Sequence, residues 1–188
     1  LIIPEKVFLI KKWDKLEMGL GDIYASFGRG IALNIVKNTA LDLDTSIFGA
    51  KFVLSEDDFE LTALTGLTNN QQININTPNI RRSQGIGHMV TGAQFVRYGL
   101  NEGTMSVGAH GVISKFGRQS DADLPDLIRY EQGIDASVAG LSTEIQTESI
   151  GDWYVEGDVF YYHAEEMRGA DNKAFGTTVY ASGALYPE

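Results

Sequence analysis

The sequence contains no cysteine, which excludes disulfide frameworks, cysteine-ligated zinc and thiol nucleophiles. Only four of the 188 residues are proline, which argues against a proline-rich linker or a collagen-like repeat. Basic residues are few, since 15 Lys and Arg stand against 25 Asp and Glu, and the formal net charge is −10. Because phosphate binding requires clustered basic side chains, we do not expect the chain to bind nucleic acid.

Long apolar runs are also missing, because none reaches the ~20 residues that a spanning helix needs. The sequence has instead 21 glycines and many segments in which apolar and polar residues alternate. Such a period of two predicts β-strands. The predicted strands cover 15–24, 31–37, 45–54, 59–67, 86–98, 104–114, 133–146, the first part of 151–167, and 174–185.

The stretch 151–167, GDWYVEGDVFYYHAEEM, shows the alternation most clearly. Trp153, Val155 and Val159 occupy one side of an extended chain, whereas Asp152, Glu156 and Asp158 occupy the other. Three other strands have a similar apolar face. Its members are Phe59, Leu61, Ala63 and Leu67 on 59–67; Met105, Val107, Ala109, Gly111 and Ile113 on 104–114; and Phe175, Val179, Ala181 and Leu185 on 174–185.

The connections between the predicted strands alternate in length. Tight turns at 55–58, 99–103 and 147–151 are interleaved with long polar loops at 68–85, 115–132 and 164–173. In an antiparallel meander, alternate connections lie at opposite ends of the sheet, and outer-membrane barrels have short turns at one end and long loops at the other. Several predicted strands are about 10–14 residues long, which exceeds the ~5–6 of ordinary strands and fits a tilted membrane strand.

We therefore predict an all-β fold, an antiparallel up-and-down transmembrane β-barrel, with one domain over 1–188. The nine predicted strands are an odd number, whereas single-chain bacterial barrels have an even one. We thus expect a section of a larger barrel. Polar side chains predicted to face the lumen are Asp152, Glu156, Asp158, Glu60, His110, Asp22 and Arg29. Aromatic residues predicted to form the girdle at the membrane interfaces are Trp153, Tyr161, Tyr98, Tyr180 and Tyr186.

The passage at 19–52 resembles an uncharacterised family of predicted Gram-negative outer-membrane β-barrel proteins. The resemblance rests on a Gly-Asp-x-Tyr start, a Phe-Gly-x-Gly element, and an Asp-x-Ser/Thr turn that leads to Gly-x-Lys. These elements correspond here to Gly21, Asp22, Ile23 and Tyr24; to Phe27, Gly28 and Gly30; and to Asp44, Ser46, Gly49 and Lys51. The resemblance implies a barrel fold and an outer-membrane location, and it implies no particular reaction.

Two glycines around Arg29 also carry a prediction of their own. Gly28 and Gly30 predict a tight bend, because glycine adopts backbone angles that other residues avoid. Asp22 and Arg29 are candidates for an ion pair that fixes this bend inside the lumen. The alternative is that both are ordinary charged side chains in water at a strand end.

Two functions from different classes remain open. The first is a porin-like passive channel or an anchor for an envelope assembly, in contact with outer-membrane lipid and with lipopolysaccharide or other envelope proteins. The alternative is a soluble β-sandwich that binds a carbohydrate or a protein through its long loops. We do not expect an enzyme. The one candidate cofactor is a structural calcium ion held by Asp121, Asp123 and Asp126, since oxygen-rich loops bind this ion.

Overall fold

A computed structural model describes residues 6–38, 43–68, 88–116, 134–147, 151–165 and 171–186. These residues form β-strands, turns and irregular segments, and none of them is helical. No helix in these ranges has the length and apolar character required to cross a bilayer. The predicted loops at 68–85 and 115–132 lie almost entirely outside the described ranges, as does the middle of the loop at 164–173.

One large antiparallel sheet of nine strands dominates the structure. Its strands, in spatial order, are β1 (Phe8–Lys12), β2 (Leu16–Ile23), β7 (Ile47–Ser55), β8 (Phe59–Thr68), β9 (His88–Leu100), β10 (Met105–Phe116), β11 (Ile134–Thr147), β12 (Gly151–Glu165) and β13 (Asp171–Leu185). Spatial order follows chain order, and every neighbouring pair is antiparallel. The predicted all-β, antiparallel meander is therefore confirmed.

The sheet is open among the described residues. Its two edges are β1 and β13, and no hydrogen-bonded ladder joins them within this part of the chain. Closure into a barrel therefore remains a prediction.

The residues between β2 and β7 leave the large sheet and form two small ribbons. β3 (Ala25–Phe27) pairs with β4 (Leu33–Ile35), and β5 (Lys37–Asn38) pairs with β6 (Leu43–Asp44). The prediction that 31–37 is one of the nine strands of the main sheet is therefore wrong, because β4 belongs to an inserted hairpin. Conversely, β1 is a strand of the large sheet that was not predicted, since its sequence FLIKK has a continuous apolar run without alternation.

Two faces of the large sheet differ in what lies on them. We call the side against which β3 and β4 pack the covered face, and the opposite side the open face. The covered face contributes Leu64, Val90 and Val112 to the hydrophobic core. Phe27 of the inserted hairpin packs into the same core and is only 1% exposed. Complete burial of such a side chain is worth about 1.5–3 kcal/mol, so the hairpin is a substantial source of stability.

The open face is apolar and exposed. Its large side chains include Leu9, Met18, Leu20, Phe48, Leu67, Met89, Phe95, Ile113, Leu141, Trp153, Val155, Val159, Phe175, Val179 and Leu185. The orientations predicted for the strands at 59–67, 104–114, 151–167 and 174–185 agree with the strand register. A groove of about 890 Å³ also crosses this face, lined largely by small side chains such as Ala63, Ala93 and Ala139.

Among the described side chains of the open face, the exposed charges lie near the ends of their own strands. Arg97 and Lys11 lie toward the tight turns, and Lys115, Asp135 and Lys173 lie toward the opposite ends. Asp22, the register partner of Phe48, is buried near the end of β2. Between the exposed charges the polar groups with described side chains are hydroxyls. Thr65 and Thr91, for example, form a hydrogen bond of 2.8 Å with each other.

Candidate functional site

The covered face holds a buried cluster built from β10 and β12. His110 Nε2 lies 2.7 Å from Asp158 Oδ1 and 3.6 Å from Glu156 Oε1. His110 is 6% exposed, Asp158 is 2% exposed and Glu156 is 0% exposed. We refer to His110, Glu156 and Asp158 as the histidine–carboxylate cluster.

The strand register explains how His110 reaches Asp158 across an intervening strand. Gly140 of β11 pairs with His110 on one side and with Asp158 on the other. Glycine has no side chain there, so the two polar groups meet above it. A Cβ atom at position 140 would lie 2.1 Å from Asp158 Oδ1 and 2.5 Å from His110 Nε2. Any larger residue at this position would separate the two groups.

The inserted hairpin covers Glu156 from the other side. Glu156 Oε2 accepts a hydrogen bond from the Tyr154 hydroxyl at 2.6 Å and another from the backbone N–H of Arg29 at 2.8 Å. Gly28 packs directly on the carboxylate, because a Cβ atom there would lie 2.0 Å from Glu156 Oε1. Hydrogen bonds to a charged acceptor contribute about 1.5–3 kcal/mol each, which offsets part of the cost of burying this group.

The bend predicted around Arg29 is present. Gly28 has φ 58° and Gly30 has φ 86°, and the N–H of Gly30 donates to the carbonyl of Phe27 at 3.0 Å. These positive φ angles are strained for residues with a side chain, so glycine is required.

The predicted pairing of Asp22 with Arg29 is replaced by other contacts. The guanidinium of Arg29 lies 4.5 Å from the centre of the Tyr154 ring, a cation–π geometry. Asp22 is 5% exposed, and its Oδ2 accepts a hydrogen bond from the backbone N–H of Val7 at 2.9 Å.

Other predicted lumen residues lie on the covered face but away from the cluster. Glu60 contacts the hydroxyls of Ser55 and Thr62 near the end with tight turns. Asp152 accepts a hydrogen bond from the Tyr186 hydroxyl at 2.5 Å, and this bond raises the pKa of Tyr186.

The water-facing environment predicted for the acids is wrong for the cluster itself. Glu156 and Asp158 lie on the predicted side of their strand, but they are buried rather than exposed to a wet lumen. For Glu156 the reason is the inserted hairpin, because Gly28 and the backbone N–H of Arg29 lie against its carboxylate.

The predicted aromatic girdle divides between the two faces. Trp153 and Tyr161 belong to the open face, and Tyr161 packs against Phe175 with ring centres 4.9 Å apart. Tyr180 pairs with Glu156 in the register and therefore points to the covered face. Tyr98 also faces that side, where it lines a polar cavity of about 290 Å³ together with Arg29, Gln94 and Glu144. Tyr98 and Tyr180 thus lie on the face opposite to Trp153 and Tyr161, and the Tyr186 hydroxyl turns toward the covered face.

Asp121, Asp123 and Asp126, the predicted calcium ligands, lie outside the described residues. Within the described ranges, His110, Glu156 and Asp158 form the one group of three histidine or acidic residues with potential ligand atoms within 4.8 Å of one another. Tyr154 and Gly140, which contact this cluster, were not predicted as site residues.

No family model, curated protein or solved structure matches the chain in the comparisons with known proteins.

Proposed function

We propose that this chain is an integral part of a β-barrel in the outer membrane of a Gram-negative bacterium, where it serves as a structural anchor. The observation that carries the proposal is the open face, which is largely apolar across nine strands and whose described, exposed charged side chains lie near the ends of their own strands. A water-exposed sheet normally presents polar side chains on its outer surface, and large contiguous apolar patches mark contact with a membrane or a partner.

The height of the apolar region supports lipid as the partner. From Trp153 to Tyr161 on β12, the extended chain covers ~27 Å at ~3.4 Å per residue. Tilting such a strand by ~40° reduces its height to ~21 Å, close to the ~25 Å apolar band of outer-membrane barrels. The groove of about 890 Å³ gives an acyl chain further apolar surface to contact.

The contents of the covered face favour an anchor over a channel. The inserted hairpin covers the central part of this face with a packed core around Phe27, and the histidine–carboxylate cluster on the same face is buried. A conducting lumen requires continuous water along that face. The described residues instead place the packed hairpin over the central part of this face, which supports a structural role.

The soluble sandwich receives less support. A sandwich requires a second sheet packed on the apolar side of the first, at ~10 Å. The remaining strands in the described ranges are two-stranded ribbons, and β3 and β4 pack on the covered face.

Membrane fractionation tests the proposal directly. We expect the full chain to sediment with the outer membrane, to stay there through high-salt and alkaline washes, and to need detergent for extraction. Recovery of folded protein in the aqueous supernatant would refute the membrane location.

Planar-bilayer recording then separates the anchor from the channel. We expect purified protein to give no stable ohmic conductance above that of empty-detergent controls. Reproducible conductance steps that are absent from the empty-detergent controls would overturn the anchor role and support a pore.

A further inference from the structure

The histidine–carboxylate cluster contains three polar atoms that the fold leaves unused. His110 Nδ1, Glu156 Oε1 and Asp158 Oδ2 are buried and have no hydrogen-bond partner among the described residues. Burying a polar atom without a partner costs about 1–3 kcal/mol, and native structures contain few such atoms. Two of the three, Glu156 Oε1 and Asp158 Oδ2, are carboxylate oxygens that a bound cation would engage, whereas a cation at His110 Nε2 leaves Nδ1 without a partner.

The charge of the cluster identifies the kind of partner. Two carboxylates lie beside one imidazole, and the three side chains are each 0–1% exposed. Neighbouring carboxylates that are both ionised repel each other, and burial removes the water that would screen them. The Arg29 guanidinium is exposed and lies over the Tyr154 ring, so it does not enter the cluster. A dication would supply the missing positive charge.

We propose that His110, Glu156 and Asp158 bind a divalent transition-metal ion of the zinc class through His110 Nε2, Glu156 Oε1 and a carboxylate oxygen of Asp158. Imidazole and carboxylate are the ligands that zinc and related dications use where thiolates are absent, and this chain has no cysteine. The potential ligand atoms all lie within 4.8 Å of one another. Ligands at ~2.0–2.2 Å from one ion lie ~3–4 Å apart. The 3.6 Å from Nε2 to Oε1 therefore fits, and the 2.7 Å from Nε2 to Oδ1 must lengthen slightly.

The residues around the cluster hold one ligand in position. Tyr154 and the Arg29 backbone both donate to Glu156 Oε2, which leaves Oε1 turned toward His110. Such hydrogen bonds orient metal ligands and raise metal affinity. Tyr154 is therefore a positioning residue.

An entry path adjoins the site. Gly28 and Tyr154 contact Glu156, and both also line the polar cavity of about 290 Å³ that contains Glu144. A hydrated cation can approach through this cavity, whose other walls include Gln94 and Ser142.

Metal analysis of the full chain, purified in detergent without chelators, is the first test. We expect about one equivalent of a transition-metal dication per chain, and we expect chelator treatment to lower the Tm. Adding Zn²⁺ to the stripped protein should restore the Tm, since a ligand that binds only the folded state raises its stability. A metal-free preparation whose Tm does not respond to Zn²⁺ would overturn the proposal.

Variants locate the ion. Asp158→Asn and Glu156→Gln keep the side-chain shape and should abolish stoichiometric Zn²⁺ binding. Asp152→Asn is the matched control, because Asp152 lies on the same strand and face but contacts Tyr186 outside the cluster. Equal Zn²⁺ binding by the wild type and Asp158→Asn would place the ion elsewhere and refute the site.

Tyr154→Phe tests the positioning role without removing a ligand. We expect Zn²⁺ affinity to fall about 10–100-fold at unchanged stoichiometry. We also expect a changed visible spectrum of the Co²⁺-loaded protein, which a merely structural residue would leave alone. Unchanged affinity and spectrum would contradict this role. None of these readouts depends on the membrane location, so this proposal and the anchor proposal can fail separately.

Discussion

Replacing Leu141 with arginine separates a lipid-facing sheet from a water-exposed one. Leu141 is 69% exposed near the middle of β11 on the open face, and its register partners are Ala109 and Gly157. These small neighbours leave room for a long side chain. In water, an exposed substitution of this kind changes stability by no more than ~0.5 kcal/mol.

In a bilayer the same change is costly. An arginine on the lipid face at the midplane of a barrel costs about 2–4 kcal/mol, which shifts the unfolding equilibrium roughly 30- to 700-fold. Ile145→Arg is the matched control, because Ile145 lies on the same face of β11, ~13 Å along the strand toward the tight-turn end. Near the interface the expected cost is about 0–1 kcal/mol.

The assay is equilibrium unfolding by denaturant in lipid vesicles. The free energies of unfolding of the variants are compared when the m-values, the slopes of free energy against denaturant concentration, are equal. If the open face lies in lipid, Leu141→Arg should be less stable than Ile145→Arg by at least ~1 kcal/mol. Equal values, both within ~0.5 kcal/mol of the wild type, would refute the lipid-facing interpretation of the open face.

Two further predictions concern the inserted hairpin. Gly28→Ala combines a positive φ of 58° with a clash against Glu156, whereas the control Gly103→Ala has a positive φ of 91° and open space around it. Left-handed backbone costs about 1–2 kcal/mol in either variant. Thermal unfolding in detergent should therefore show a clearly larger fall in Tm for Gly28→Ala than for Gly103→Ala. Equal falls in Tm would contradict the packing of Gly28 on Glu156. Phe27→Ala removes a side chain that is 1% exposed and should lower the free energy of unfolding by about 3–5 kcal/mol. The control Phe8→Ala, at a side chain that is 67% exposed, should lower it far less. Similar losses of stability in the two variants would show that the hairpin does not form the core.

For most strands of the large sheet, the side chains that share a face were predictable because side chains alternate with a period of two along a strand. Trp153, Val155 and Val159 alternate with Glu156 and Asp158, and a half-buried sheet can satisfy this pattern in only one way. The antiparallel meander followed from the alternation of short and long connections.

The inserted hairpin was not predictable from local pattern. Leu33 and Ile35 alternate with polar residues as the residues of the large sheet do. They are nevertheless buried against the covered face instead of being exposed on the open face. The glycine bend at 28–30 was the signal of a departure from the wall, but a bend does not state where the following chain packs.

Predicting the histidine–carboxylate cluster would have required the register between neighbouring strands. His110 and Asp158 are far apart in sequence, and they meet only because Gly140 lies between them in the sheet. Register across a long connection is set by tertiary packing, which a single sequence does not reveal. An isolated glycine in a strand was the available signal, since it often marks the close approach of another group.

Because the chain has no cysteine, single cysteine substitutions at successive positions of β11 can carry nitroxide labels that report whether the open face lies in lipid. Labels from position 137 to position 145 in vesicle-embedded protein should alternate, with Leu141 and its open-face neighbours accessible to oxygen and shielded from a water-soluble paramagnetic reagent. Open-face labels that the water-soluble reagent reaches freely would contradict a sheet whose apolar side lies in lipid.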